Sequence, residues 1–182
     1  MTWTAPEIDR PSPPTVNDER ASLQAWLDFH RRTLLDKCTG LTHEQLALSS
    51  AEPSTLSLLG IVRHMADVER WWFRMNLRGE DIDGFFGPSA NLTGDFDDLD
   101  SMPAEQVWGV FATECADSDS AVADLPLDHR FTSRRGHPMD LRWVYTHMIE
   151  EYARHNGHAD ILRERIDGVV GDCRQRSRLT TG

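Results

Sequence analysis

Glu151 and His155 stand four residues apart in the run HMIEEYARHNGH. On a helix that spacing puts both side chains on one face, about 6 Å apart, a span that suits two ligands of one metal ion. The apolar seam expected there reads Leu141, Val144, Met148, Glu151, His155, His158, Leu162, so three ionisable groups take consecutive core-facing places. Burying an unpaired carboxylate costs on the order of several kcal/mol, which a bound cation offsets. His64 interrupts a second apolar seam, between Ile61 and Val68, and is the expected third ligand. Two imidazoles and a carboxylate with a fourth position open form the pattern of a catalytic zinc site. Without a thiolate in the set, nickel, iron or manganese fit it too. A metal-free reading stands beside this one: Glu151 paired with Arg154 or another arginine, and His155 a satisfied core histidine. His147 and His158, each about one turn away, are alternative ligands; His158 suits a place beside the metal, or facing substrate, better.

These residues need helices to position them. Residues 1–16 hold four prolines and no periodicity, and read as an extended segment. A first helix is expected over 18–38, with Asn17 as cap, Gly40 just past its end, and a stripe of Leu23, Trp26, Leu27, His30 and Leu34. Thr42 and Gln45 form a capping box for a short helical turn at 43–48. A second long helix is expected over 56–78, its seam Ile61, His64, Val68, Trp71 and Met75. Residues 79–101 are a long acidic connection (DIDGFFG, GDFDDLD), of a length that is usually functional or crosses the fold. A third helix is expected over 102–124 with Ser101 as cap and Pro103 in its first turn. A loop at 126–139 follows, and the fourth helix runs over 141–167, from an Asp140 cap to Gly168. No strand signal is found. The expectation is an all-α four-helix bundle over 17–168, with a long crossover loop between its second and third helices and a tail at 169–182.

Composition narrows the function. A net charge of −11 argues against a nucleic-acid backbone as partner, and the one basic string, Arg174, Arg176 and Arg178, reads as a solvated tail. No apolar run reaches 18 residues and no signal peptide is read, so a cytoplasmic protein with no membrane partner is expected. Three widely spaced cysteines, Cys38, Cys115 and Cys173, fit a reducing compartment and look inert.

Two segments, SLLGIVRHMADVERWWF around His64 and HMIEEYARHNGH, resemble in order the signatures of the DinB-like family of metalloenzymes. Glu151 stands where that family commonly carries a histidine. The resulting His–Glu–His set is similar to the metal-binding domain of mycothiol-dependent maleylpyruvate isomerases and related thiol S-transferases. The resemblance implies a zinc-type ion and a low-molecular-weight thiol such as mycothiol. The isomerases carry a further C-terminal domain for which 182 residues leave no room, which counts against isomerase activity without removing it as an alternative.

What the likeness implies is a thiol transferase acting on an electrophilic small molecule. His158 and Asp67, and less directly Arg63, would orient ligands or carry a proton. Arg134 and Arg135 would meet an anionic group of substrate or cofactor. The alternatives are a non-enzymatic metal-binding or stress-response bundle with a closed coordination sphere, and a metal-dependent hydrolase or isomerase. A homodimer through helix faces is compatible with either.

Overall fold

Asp18 turns the chain into its first helix, α1 (Glu19–Asp36), by accepting a hydrogen bond from Ala21 N. Asn17, the expected cap, instead accepts from Asp18 N. The computed structural model describes residues 2–86 and 94–171. Thr42 and Gln45 close their reciprocal capping box on α2 (His43–Ala47). Ser57 caps α3 (Leu58–Glu69) through Gly60 N, and the chain continues without a break as a π-helix, Arg70–Leu77. Asn76 Nδ2 donates to the carbonyl of Trp71 within this wider coil; π turns recur at functional sites. α4 (Ala104–Val122) starts at Pro103 with no side-chain cap. The expected Ser101 cap is corrected here, because its hydroxyl closes a 3-10 turn, Leu99–Ser101, by donating to Asp98 O. α5 (Leu141–Asp167) runs from the Asp140 cap to Gly168, whose φ of +78° ends it in the left-handed region.

One element contradicts the expected absence of strands. β1 (Arg130–Thr132) and β2 (Pro138–Asp140) pair as an antiparallel hairpin leading directly into α5. Three residues a side are too few for alternation to register as a signal. The hairpin is made instead by its turn, where Gly136 has φ +80° and its N–H reaches Ser133 O.

The structure is mostly helical. α1 packs on α5, and α3 packs on both α4 and α5. N-terminal residues lie along the helices: Ala5 exchanges backbone hydrogen bonds with Gly40 and Leu41, and Trp3 meets Trp108 edge-on. Among the described residues, no helix is long and apolar enough to cross a membrane. The C-terminal arginines 174, 176 and 178, and Cys173, lie outside the described residues.

Most apolar members of the expected seams are buried (Leu27, Leu34, Ile61, Met75, Leu141, Val144, Met148 and Leu162), but the ionisable members lie at the edge and other residues complete the core. On α1 the buried set is Leu27, Arg31, Thr33 and Leu34, while Trp26 is 46% exposed. On α3 it includes Leu58, Ile61, Val62, Met65 and Glu69; on α5, Val144, Tyr145, Met148, Tyr152, Asn156 and Ala159. Among the described residues the carboxylate with no exposure is Glu69, with Glu114 also buried. Glu69 accepts two 2.8 Å bonds from the Arg31 guanidinium and one from Tyr152 Oη. A bidentate pair with a third donor satisfies the carboxylate and keeps it tolerable in a dry interior. Burial, with Glu69 beside it, pushes the Tyr152 phenol well above its usual pKa.

Candidate metal centre

Residues from α3 and α5 meet at the shoulder of the core. Glu151, His155 and His64 lie at its edge, with side chains 20%, 12% and 27% exposed. There one ligand atom from each of the three comes within 4.8 Å of the others. The imidazoles of His64 and His155 have ring centroids 4.8 Å apart, and Glu151 Oε2 lies 3.7 Å from His155 Nε2. No arginine ties up Glu151 among the described residues: Arg154 bonds to Glu150 instead. The donor set, two imidazoles and a carboxylate converging from two helices, fits a divalent cation of the zinc type.

Burial, reinforced by His64 and His158, pushes the His155 imidazole down to about 4. A ring held neutral at pH 7 keeps its lone pair free for a metal. His158 faces His155 edge-on at 5.3 Å, and among the described residues its enclosed Nδ1 has no hydrogen-bond partner.

The acidic connection contributes a residue that sequence reasoning missed. Asp95 Oδ2 lies 2.8 Å from His64 Nδ1. A carboxylate only accepts, so Nδ1 carries the proton and Nε2 is left with its lone pair, the arrangement that orients metal-ligating histidines. Three contacts hold Asp95 there. Buried Arg63 donates to the carbonyls of Gly94, Asp97 and Asp98. Phe96 lies against His64, ring centroids 5.8 Å apart. The Phe96 ring also sits so close over Gly60 that any Cβ there would collide with it. On the other arm of the connection, Asp67 accepts from the N–H groups of Phe85 and Phe86. Its carboxyl is raised above the ordinary range by burial and by the neighbouring Asp95, against the lowering effect of those two bonds. Both oxygens of Asp67 are thus engaged with the connection. Only the density of acids and phenylalanines at 79–101 hinted at this arrangement.

A cleft of about 890 Å³ opens beside the centre and reaches Glu151 and His147. The hairpin forms one wall and the π-helix, with Trp71 and Trp72, the other. Of the two loop arginines singled out by sequence, Arg135 lines the cleft, its guanidinium 5.9 Å over the Trp71 ring. Arg134 is not among the lining residues: its Nε reaches Met75 O, its Nη2 reaches Glu80 O, and its backbone N–H reaches Asn76 Oδ1. It pins the hairpin to the end of the π-helix. His147 stacks on Trp143 (4.7 Å, 20°), and its Nε2 is 3.6 Å from Glu151 Oε1. With Glu150 and Glu151 it makes a second group of converging donors.

Cys38 is buried and its thiol is pushed up to about 12; burial also raises the Cys115 thiol well above its usual value. Neither is a ready nucleophile at neutral pH.

No curated protein matches the chain. A family model described as mycothiol-S-transferase matches residues 22–168, a span holding both sequence signatures, the hairpin and every donor named above. With most of its length inside that match, the chain belongs to the mycothiol S-transferase family, a DinB-like family.

Proposed function

We propose that this protein is a metal-dependent S-transferase that joins a small-molecule thiol, mycothiol or a close relative, to an electrophile. One observation carries the reading: the convergence of His64, Glu151 and His155 within 4.8 Å at the edge of an open cleft, in a chain of this family. Zinc suits the donors best, with nickel, iron and manganese as alternatives. His64, Glu151 and His155 would hold the ion, and a divalent cation there would lower the pKa of a bound thiol and so supply thiolate near neutral pH.

The chain's own residues do the positioning. Asp95 fixes the ring and tautomer of His64. His155 stays neutral and ready to ligate. His158, beside His155 with a nitrogen free of protein partners, is assigned the handling of the thiol proton. Asp67 and Arg63 act as positioning residues by holding the two arms of the 79–101 connection. The wider frame we propose is a four-helix bundle of α1, α3 with its π-helical extension, α4 and α5, crossed by that connection, in a cytoplasmic protein that associates as a homodimer.

The test is a conjugation assay of protein loaded with zinc, mycothiol and a model electrophile, against chelated protein and His155→Ala. Conjugate above both controls is expected; equal rates in all three would refute the reading. A non-enzymatic metal-binding role predicts a closed coordination sphere instead. X-ray absorption of the zinc-loaded protein with and without thiol separates the two, since only an open position gains a sulfur scatterer.

A further inference from the structure

The cleft beside the centre has a chemistry that the donor set does not use. Three indoles line it, Trp71, Trp72 and Trp143. The Trp72 and Trp143 rings are 5.2 Å apart, inclined at 55°, and the flat imidazole of His147 already lies parallel to Trp143 and edge-on to Trp72. Such walls favour a planar π-system over a saturated ligand. Two guanidiniums, Arg130 and Arg135, line the same cleft from the hairpin. Among the described residues neither has a carboxylate partner, while Arg31, Arg70, Arg74, Arg78, Arg142 and Arg163 are all paired. The acids in the lining are engaged elsewhere: Asp140 caps α5, and Glu151 belongs to the donor cluster. In a chain of net charge −11, the cleft thus offers unpaired positive charge next to flat aromatic walls.

We propose that this cleft is the acceptor subsite and that it selects an aromatic electrophile bearing a carboxylate, with the ring against the indoles and the anion on Arg135 and Arg130. The proposal rests on the thiol-transfer reading above and names the substrate class for it. Guanidinium forks recognise carboxylates in bidentate fashion, and partial desolvation by the indoles strengthens that recognition. For an aryl halide of this class the step balances simply. A carbon–sulfur bond forms, the carbon–chlorine bond breaks, chloride leaves with the bonding pair, and the thiol proton passes by way of His158 to water.

The probe is 4-chloro-3-nitrobenzoate, compared with the neutral 4-chloro-3-nitrobenzyl alcohol, both titrated calorimetrically into the zinc-loaded protein without thiol. The benzoate is expected to bind at least tenfold more tightly than the alcohol. Arg130→Gln/Arg135→Gln is expected to abolish that difference without changing the affinity for the alcohol. Trp72→Leu is expected to weaken both ligands, and circular dichroism of each variant checks that it is folded. Equal affinity for the two ligands, or a preference that survives loss of both arginines, overturns the proposal. The conjugation arm separates it from the reading beneath. If a neutral aryl halide is conjugated to mycothiol while the benzoate neither binds nor reacts, the acceptor proposal fails and transfer stands. If the benzoate binds through the arginines but zinc-dependent chloride release is never seen with mycothiol, transfer fails and the anion site stands.

Discussion

Removing the carboxylate behind His64 is the sharpest probe of the centre, because Asp95 touches one proposed ligand and is not itself among the three. In Asp95→Ala the 2.8 Å bond to His64 Nδ1 is lost, the ring is free to rotate, and its Nε2 is less basic. Loss of such a partner typically weakens metal affinity about 10- to 100-fold, which at ~1.4 kcal/mol per decade is about 1.4–2.8 kcal/mol. The stability of the metal-free protein should change far less, by at most ~1 kcal/mol, since His64 is 27% exposed and a partly solvated pair is worth little. The two effects are therefore separable. Competition against a calibrated chelator gives the zinc affinity, and thermal unfolding with chelator present gives the metal-free stability. Asp81→Ala is the control: it removes the same formal charge from the same connection at a fully exposed site. Asp95→Asn, whose amide oxygen still accepts from Nδ1–H, should fall between wild type and alanine. Equal affinities for Asp95→Ala and Asp81→Ala would refute the orienting role. A loss beyond a thousandfold would instead make Asp95 a direct ligand.

Four other outcomes follow from the geometry. Gly60→Ala forces the Phe96 ring off α3, so it should lower stability by about 1–3 kcal/mol and also weaken metal binding by disturbing Asp95, both readable in the assays just described. Arg31→Met alone leaves Glu69 charged and buried and should cost about 3–5 kcal/mol; adding Glu69→Leu should recover part of that loss in denaturant unfolding, and an additive double variant would refute the pairing. Metal-free protein should lose stability as pH falls from about 6.5 toward about 4, because the unfolded chain protonates His155 before the folded one does; the slope should flatten below about 4 and shrink in His155→Ala. Asp140→Ala removes the cap of α5 beside the cleft, with an expected cost of about 1 kcal/mol by thermal denaturation.

Local chemistry was legible in the chain itself. The Thr42–Gln45 box, the Asp140 cap and the Gly168 stop depend on residues within a few positions of one another, and all three appear where the spacing puts them. The pairing of Glu151 with His155 is equally local, a consequence of helical pitch. Seam phase was legible only in part: the apolar positions of the expected seams are mostly buried, the ionisable ones are not. A helix rotated by one position buries nearly as many apolar atoms, and the choice falls to partner helices. Thus Glu69 and Arg31, and not Glu151 and His30, are among the enclosed polar groups. The hairpin escaped notice because pairing of three-residue strands is decided by the surfaces they dock on, here the end of the π-helix, through Arg134 and Asn76.

The sequence by itself determined the long helices, the caps at Thr42 and Asp140, the stop at Gly168 and the i,i+4 placement of Glu151 and His155, because each is set by interactions between near neighbours along the chain. Only the tertiary structure decided that His64 reaches that pair, that Asp95 stands behind His64, and that Arg135 enters the cleft while Arg134 does not. Those are meetings between residues tens of positions apart. Packing of the whole chain selects among the nearly equivalent helix rotations and loop paths that local rules leave open.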